Sequence, residues 1–296
     1  MEISRMDLAD LGSPETLVQG ILKQVPDMPI PVPIEAIARA VDITEIAAIG
    51  ASGFEGGLIT DREKSEGVIL VNRESSRRRQ RFTIGHELAH FLIPSHLPQE
   101  GTKFMCTVSD MQESGTSKAM DRATRMEVEA NRFSGNMLMP ATLFRHDLAR
   151  STAPDLELLL GLAEKYDTSK EAAARRFCEL IDTPSATVFS KDGKFVYAVW
   201  GQSFPFIPLR RDEPIPNGSL TARFSGSEGD LSNMDAVDGH WWVDVKPYCD
   251  RQLLEQTFLQ INGYRLTLLQ LDEEEIEEAN EEDDLAESYT PRFRRR

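Results

Sequence analysis

The sequence predicts an α+β protein in which helical and extended segments separate along the chain. Residues 76–93, 122–138, 142–150, 156–166 and 170–181 carry apolar side chains at helical spacing. Short β-like runs at 43–49, 57–60 and 68–72 precede them, and beyond Pro184 the pattern turns extended again. No internal repeat is visible.

Taken in order, residues 15–42 read as two short helices, the second opening at Pro33, a position helices tolerate for proline. The three β-like runs that follow are broken by glycine and by a charged loop. The helix over 76–93 has Ser75 or Ser76 as its N-cap and Pro94 as its stop. Residues 95–120 are polar with little periodicity and read as a mobile loop. Further on, 186–189 and 194–200 flank Lys191-Asp-Gly-Lys like the arms of a hairpin, and 241–245 and 265–271 look extended. Residues 211–239, rich in Gly, Ser, Pro and Asp, read as a long loop. This divides the chain into a first domain at 1–150, a helix-turn-helix-like unit at 151–183, a β-rich domain at 184–271 and a tail at 272–296.

Composition narrows the function classes. The chain has 296 residues, 40% of them apolar, so it can bury a sizeable core. With 49 acidic and 33 basic side chains the net charge is −16, which argues against a general phosphate-backbone binder. Eleven acids lie in residues 272–287 and four arginines in the last five residues; setting both aside leaves −9 for residues 1–271. The tail is too charged to offset its ordering entropy by burial and is expected to stay solvated. No apolar run is long enough to span a bilayer. Glu2, Asp7 and Asp10 stand where a secretory signal would be basic and then apolar. Cys106, Cys178 and Cys249 are odd in number, far apart and without a CxxC, which indicates a reducing compartment. A cytoplasmic protein is the expectation.

The informative residues are His86-Glu87-Leu88-Ala89-His90. Histidines four apart share one helical face, so both imidazoles can reach one zinc ion. Glu87 lies beside that face, where its carboxylate can take a proton from a water that zinc has made acidic without itself ligating the metal. This is the HExxH pattern of zinc peptidases. The bland alternative is an amphipathic helix with a half-buried histidine pair.

A catalytic zinc needs a third protein ligand, and two candidates compete. His96 follows His90 by six residues, but the sharp turn that would return it to the metal calls for glycine where this chain has Ile93 and Pro94. That favours His96 as a loop histidine. The other candidate is Glu127. With Asn131 and Ser134 it forms a polar stripe at i, i+4, i+7, beside an apolar surface of Met126, Ala130, Phe133 and Met137. Such a stripe suits a carboxylate approaching a buried metal, with Asn131 orienting a ligand. Glu129, about 200° round the helix from Glu127, reads as solvent-facing.

The run Arg81-Phe-Thr-Ile-Gly-His-Glu-Leu-Ala-His-Phe-Leu, with Glu127-Val-Glu-Ala-Asn-Arg-Phe-Ser and Met137-Leu-Met-Pro, resembles the ImmA/IrrE family of metallopeptidases. Gly56-Gly-Leu-Ile, Gly67-Val-Ile-Leu-Val-Asn and Pro31-Val-Pro-Ile-Glu-Ala-Ile-Ala resemble its earlier elements, so the likeness spans about residues 15–181. It implies a zincin-like peptidase domain, with one Zn²⁺ held by His86, His90 and Glu127 and with Glu87 as the catalytic base. It implies a substrate class as well: bacterial helix-turn-helix repressors, cut to switch on stress or mobile-element genes. The 36 residues between His90 and Glu127 depart from the family by placing a long segment beside the cleft. For 184–271 it suggests the GAF-like sensor of one branch.

Other features have competing readings. Residues 156–181 look like a helix-turn-helix with Lys170, Arg175 and Arg176 on its second helix, the one that reads the major groove in DNA-binding versions. With Asp155 just before it, the same unit holds six acids, which favours packing or repressor docking over direct DNA binding. Trp200, Trp241 and Trp242 with Phe204 and Phe206 could line a ligand pocket or fill a core. Cys106 reads as a free loop thiol, and His146 and His240 as structural or exposed. The alternative to an enzyme is a peptidase-like regulator that binds a repressor or DNA without cutting.

Overall fold

The computed structural model describes residues 1–50, 53–97, 103–106, 121–151, 154–201 and 203–271, and the acidic tail read from the sequence lies outside them. The described residues hold eight helices and two sheets. They form two compact units: Met1–His146 with Gly161–Ala173, and Asp147–Leu160 with the chain from Ala174 onward.

In the first unit, α1 (Pro14–Gln24) starts where Ser13 and Thr16 each accept the other's backbone N–H, with proline in the first turn. α2 (Ile34–Ala40) follows Pro33. The strands β1 (Ile43–Ile49), β2 (Gly56–Thr60) and β3 (Gly67–Asn72) lie where the β-like runs fall. The long helix α3 (Arg77–Leu92) is capped by Ser76 Oγ and ends ahead of Pro94. The 95–120 segment departs from the expected loop, because Lys103–Cys106 form β4, antiparallel to β2. Four residues carry too little periodicity to be read, and backbone pairing to β2 makes the strand. The sheet runs β1-β3-β2-β4, with β1 parallel to β3 and the other pairs antiparallel.

Helices α4 (Arg122–Leu138), α5 (Ala141–Leu148), α6 (Leu156–Lys165) and α7 (Lys170–Leu180) follow, near the boundaries the periodicity predicts. The core of this unit joins Leu58, Ile69 and Val71 from the sheet to Ile84, Leu88 and Phe91 of α3 and Phe133 and Met137 of α4. Between α6 and α7, Asp167 takes a positive φ of 51° and accepts ion pairs from Arg77, Arg78 and Arg81, while Arg78 also reaches Glu164 at 2.6 Å. The helix pair thus fastens the start of α3. On α7, Arg176 is buried and paired with Glu179 at 2.7 Å.

The second unit is an antiparallel sheet ordered β6-β5-β9-β8-β7. The predicted hairpin is present: β5 (Ser185–Lys191) and β6 (Lys194–Trp200) join through Asp192 and Gly193, both at positive φ, as a tight primed turn requires. β9 (Tyr264–Leu271) lies where 265–271 reads extended. Two expectations fail. Residues 241–245 are no strand: Trp241 closes a 3-10 turn and Trp242 is buried. Within and beyond the supposed loop lie β7 (Asp235–Asp238), the short helix α8 (Leu220–Arg223) and β8 (Gln252–Leu259). The polar centre of β8 hides it from a periodicity reading. Glu255 is fully buried because Trp242 Nε1, the backbone N–H groups of Leu220 and Thr221, and the Thr221 hydroxyl all donate to it, at 2.6–3.0 Å. Trp242 therefore packs as core, while Trp200 and Phe206 form an exposed edge-to-face pair. No helix among the described residues is long and apolar enough to cross a membrane.

Burial pushes the Cys178 thiol up to about 12, against hydrogen bonding to Thr187. At about pH 8.5, where an ordinary cysteine is half ionised, Cys178 is expected to resist iodoacetamide in the native protein and to react on unfolding. Its native labelling should rise only toward strongly alkaline pH. Peptide mass spectrometry reads this, and prompt native labelling would contradict the buried placement.

Candidate metal centre

Helix α3 is buried on every side from Thr83 to Leu92, unlike the amphipathic helix the motif alone suggests. A helix buried all round that carries two histidines and a glutamate must compensate their polar atoms inside the protein. Much of that compensation comes from α4. The two helices cross closely because Gly85 has no side chain: a Cβ there would lie 2.5 Å from Ser134 Oγ and 3.3 Å from Ser134 Cα. Ser134 Oγ instead donates to the carbonyl of Phe82 at 2.7 Å.

That crossing turns the whole polar stripe of α4 onto α3. Asn131 Oδ1 accepts from His86 Nδ1 at 2.9 Å. Glu127 presents Oε2 3.1 Å from His86 Nε2 and Oε1 3.6 Å from His90 Nε2. The two imidazole Nε2 atoms are 3.1 Å apart. His86 and His90 are fully buried, whereas the Glu127 side chain is 19% exposed. The predicted set His86, His90 and Glu127 is thus brought together, and its donor atoms lie within 4.8 Å of one another.

The donor set fits a zinc ion. Tetrahedral zinc with bonds of about 2.0–2.1 Å sets its ligand atoms roughly 3.3 Å apart, and the observed separations bracket that value. With its proton on Nδ1 for Asn131, a neutral His86 points an Nε2 lone pair at the same place as the Glu127 carboxylate. The field there favours positive charge. Burial works against a proton on His86, but Glu127, Glu87 and Asn131 more than reverse this and raise its pKa. Burial pushes His90 down to about 3, with the neighbouring charges of His86 and His96 acting the same way, so its imidazole is neutral. Burial would raise the Glu127 carboxyl, yet the two imidazoles it faces, His86 at 3.1 Å and His90 at 3.6 Å, hold it well below the usual carboxylate range. Glu87 is fully buried beside His86.

Three residues around the centre depart from the sequence reading or escape it. His96 lies in the loop after α3 and outside the group that could hold a metal, but its ring is fully buried: the backbone turns at Ile93–His96, with His96 N donating to Ile93 O at 3.2 Å. Pro94 makes this turn without the glycine expected there. His96 sits behind His90, its Nδ1 3.1 Å from His90 Nδ1, and so on the side away from the Nε2 donors. Glu129 is still 32% exposed but does not face solvent alone, because its Oε2 lies 2.9 Å from His96 Nε2. Lys64 carries no sequence signal beyond its place in a charged loop. It is buried and donates to the carbonyls of His90 and Ile93 at 2.6 and 2.9 Å, satisfying the C-terminal end of α3. Cys106 as a thiol lies outside the side chains described.

Residues 53–177 match the family described as peptidase M78, IrrE N-terminal-like domain. No curated protein matches the chain. Among solved structures, a Mycobacterium tuberculosis transcriptional regulator is similar with a TM-score of 0.53 and 12% identity over 89% of each chain, a likeness of fold.

The helix crossing can be tested against a control within α4. Gly85→Ala is expected to lower stability by about 1–3 kcal/mol through overpacking against Ser134. Gly135→Ala meets nothing within 4 Å and should leave stability unchanged or raise it by up to ~1 kcal/mol, since alanine favours helix. Urea denaturation of both variants gives the comparison; equal effects would contradict the close approach at Gly85.

Proposed function

Taking residues 53–177 as an IrrE N-terminal-like domain, we propose that this chain is a cytoplasmic zinc endopeptidase that cuts a helix-turn-helix transcriptional repressor. The observation that carries the reading is the convergence of three donors, His86 Nε2, His90 Nε2 and a Glu127 oxygen, from two helices onto one point. Each residue then has a distinct task. His86, His90 and Glu127 hold one ion per chain, and Asn131 keeps the His86 lone pair turned toward it. A zinc ion held there supplies a Lewis acid for the scissile carbonyl and acidifies water. Glu87, next in sequence to the first ligand, takes the proton of the attacking water and passes it to the leaving amine. Its burial serves that role, since a carboxylate shielded from bulk water keeps its proton for the leaving group.

The substrate class rests on the family resemblance, with charge in support. A folded body at −9 attracts a DNA-binding partner, which is basic, and repels DNA itself. The α6–α7 pair supports the same view. Its turn is engaged by the arginines that open α3, and Arg176 on the second helix is buried and paired with the exposed Glu179. The helix pair is read here as an anchor for the active helix.

Two experiments test the reading. Incubated with a repressor encoded beside its gene, the zinc-loaded chain is expected to produce two fragments, and Glu87→Gln to slow cleavage by about 10²–10⁴-fold with zinc retained. Cleavage at the wild-type rate in Glu87→Gln would remove Glu87 from the chemistry, and binding without fragments would favour a regulator that does not cut. Mass-spectrometric metal content should be about one zinc per wild-type chain and near none in Glu127→Ala. Zinc retained by Glu127→Ala would refute the ligand set.

A further inference from the structure

His90 faces the candidate metal centre with Nε2, and its other ring nitrogen faces a third histidine. His90 Nδ1 faces His96 Nδ1 at 3.1 Å, and the two ring centroids are 5.0 Å apart. His96 in turn presents Nε2 to Glu129 Oε2 at 2.9 Å. Both rings are fully buried, and the Glu129 side chain is 32% exposed.

The direction of the protons along this chain follows from its end. An ionised carboxylate has no hydrogen to give, so the His96 nitrogen facing it must carry the proton. A neutral imidazole has only one N–H, which leaves His96 Nδ1 as an acceptor. The His90 nitrogen opposite must then donate, and the single proton of a neutral His90 sits on Nδ1. Its Nε2 is left as a bare lone pair directed at Glu127 and His86 Nε2. The reverse arrangement would set the lone pair of His96 Nε2 against a carboxylate oxygen at 2.9 Å, acceptor facing acceptor.

We propose that His96 and Glu129 are positioning residues that fix the tautomer and ring orientation of His90 through a Glu129–His96–His90 relay. The proposal rests on the metal-site reading given above and deepens it. Asn131 does for His86 in one bond what His96 and Glu129 do for His90 in two. α4 thereby serves both ligand histidines: Asn131 and Glu127 from one side, Glu129 through His96 from another. Neither His96 nor Glu129 is a ligand in this scheme, and neither touches the reacting atoms.

The test measures tautomer and zinc affinity separately. Two-bond ¹⁵N–¹H spectra of the metal-free wild type should show His90 with its proton on Nδ1. In Glu129→Gln, whose amide can donate or accept, His90 should become a mixture of both tautomers. Zinc affinity, read by competition with a chromophoric chelator, is expected to fall about 10–100-fold in His96→Phe and less in Glu129→Gln. Melting of the metal-free variants reports whether each is folded, and Glu129→Gln carries the test if His96→Phe is not. An Nε2-protonated His90 in the wild type overturns the relay, as does zinc affinity in both variants within about twofold of wild type. A wild type that binds no zinc would end the metal reading, while the tautomer measured in the metal-free protein still decides the relay.

Discussion

The close crossing of α3 and α4 at Gly85 and Ser134 is the contact on which the chemistry of the first unit depends. A side chain at position 85 would hold the helices apart, and the ligand atoms tolerate little separation. Two come from α3 and one from α4, and a zinc ion held as proposed would bind them only at bond lengths set within a few tenths of an ångström. Ser134 acts twice, leaving room beside Gly85 and bonding the Phe82 carbonyl, so the crossing is fixed in register as well as in distance. Once that register is set, Asn131 and Glu127, one and two turns earlier on the same face, meet His86 and His90 without further adjustment.

A helix buried on all sides is also held at its ends. At the start of α3, Arg77, Arg78 and Arg81 converge on Asp167 in the α6–α7 turn, and Arg81 donates as well to the Val32 carbonyl at 2.8 Å. At its end, Lys64 supplies the donors that the last carbonyls lack. A buried lysine is costly, and burial together with the nearby Arg5 lowers Lys64 to about 8. What offsets the cost is geometric: the same two bonds hold the turn that returns His96 to the back of His90.

How far the sequence reveals this centre depends on whether a contact is local or long-range. His86 and His90 are legible because helical spacing alone puts them on one face. Glu127, Asn131 and Ser134 are legible as a stripe for the same reason, and all three meet α3. The contact of Glu129 with His96 is not legible, because a helical wheel assumes one packed face, whereas α4 meets α3 and also the segment after α3. The burial of His96 against His90 is not legible, because the turn at Ile93–His96 is held by Lys64, which lies 26 residues before His90. In the second unit the hairpin at Asp192-Gly193 is written in its turn residues. β8 is not, since Glu255, Gln256 and Thr257 look exposed until α8, Trp242 and Ser232 supply their partners.

The charge at the centre gives the last reason to regard it as built for a cation. Glu87 and Glu127 both act on His86, and burial makes two carboxylates in one place expensive unless positive charge accompanies them. Those carboxylates raise His86, while burial drives His90, one turn away, down. One proton cannot balance two carboxylates, and a second on His90 would meet the first across 3.1 Å. A divalent ion balances both at once, with both imidazoles neutral and their lone pairs in use.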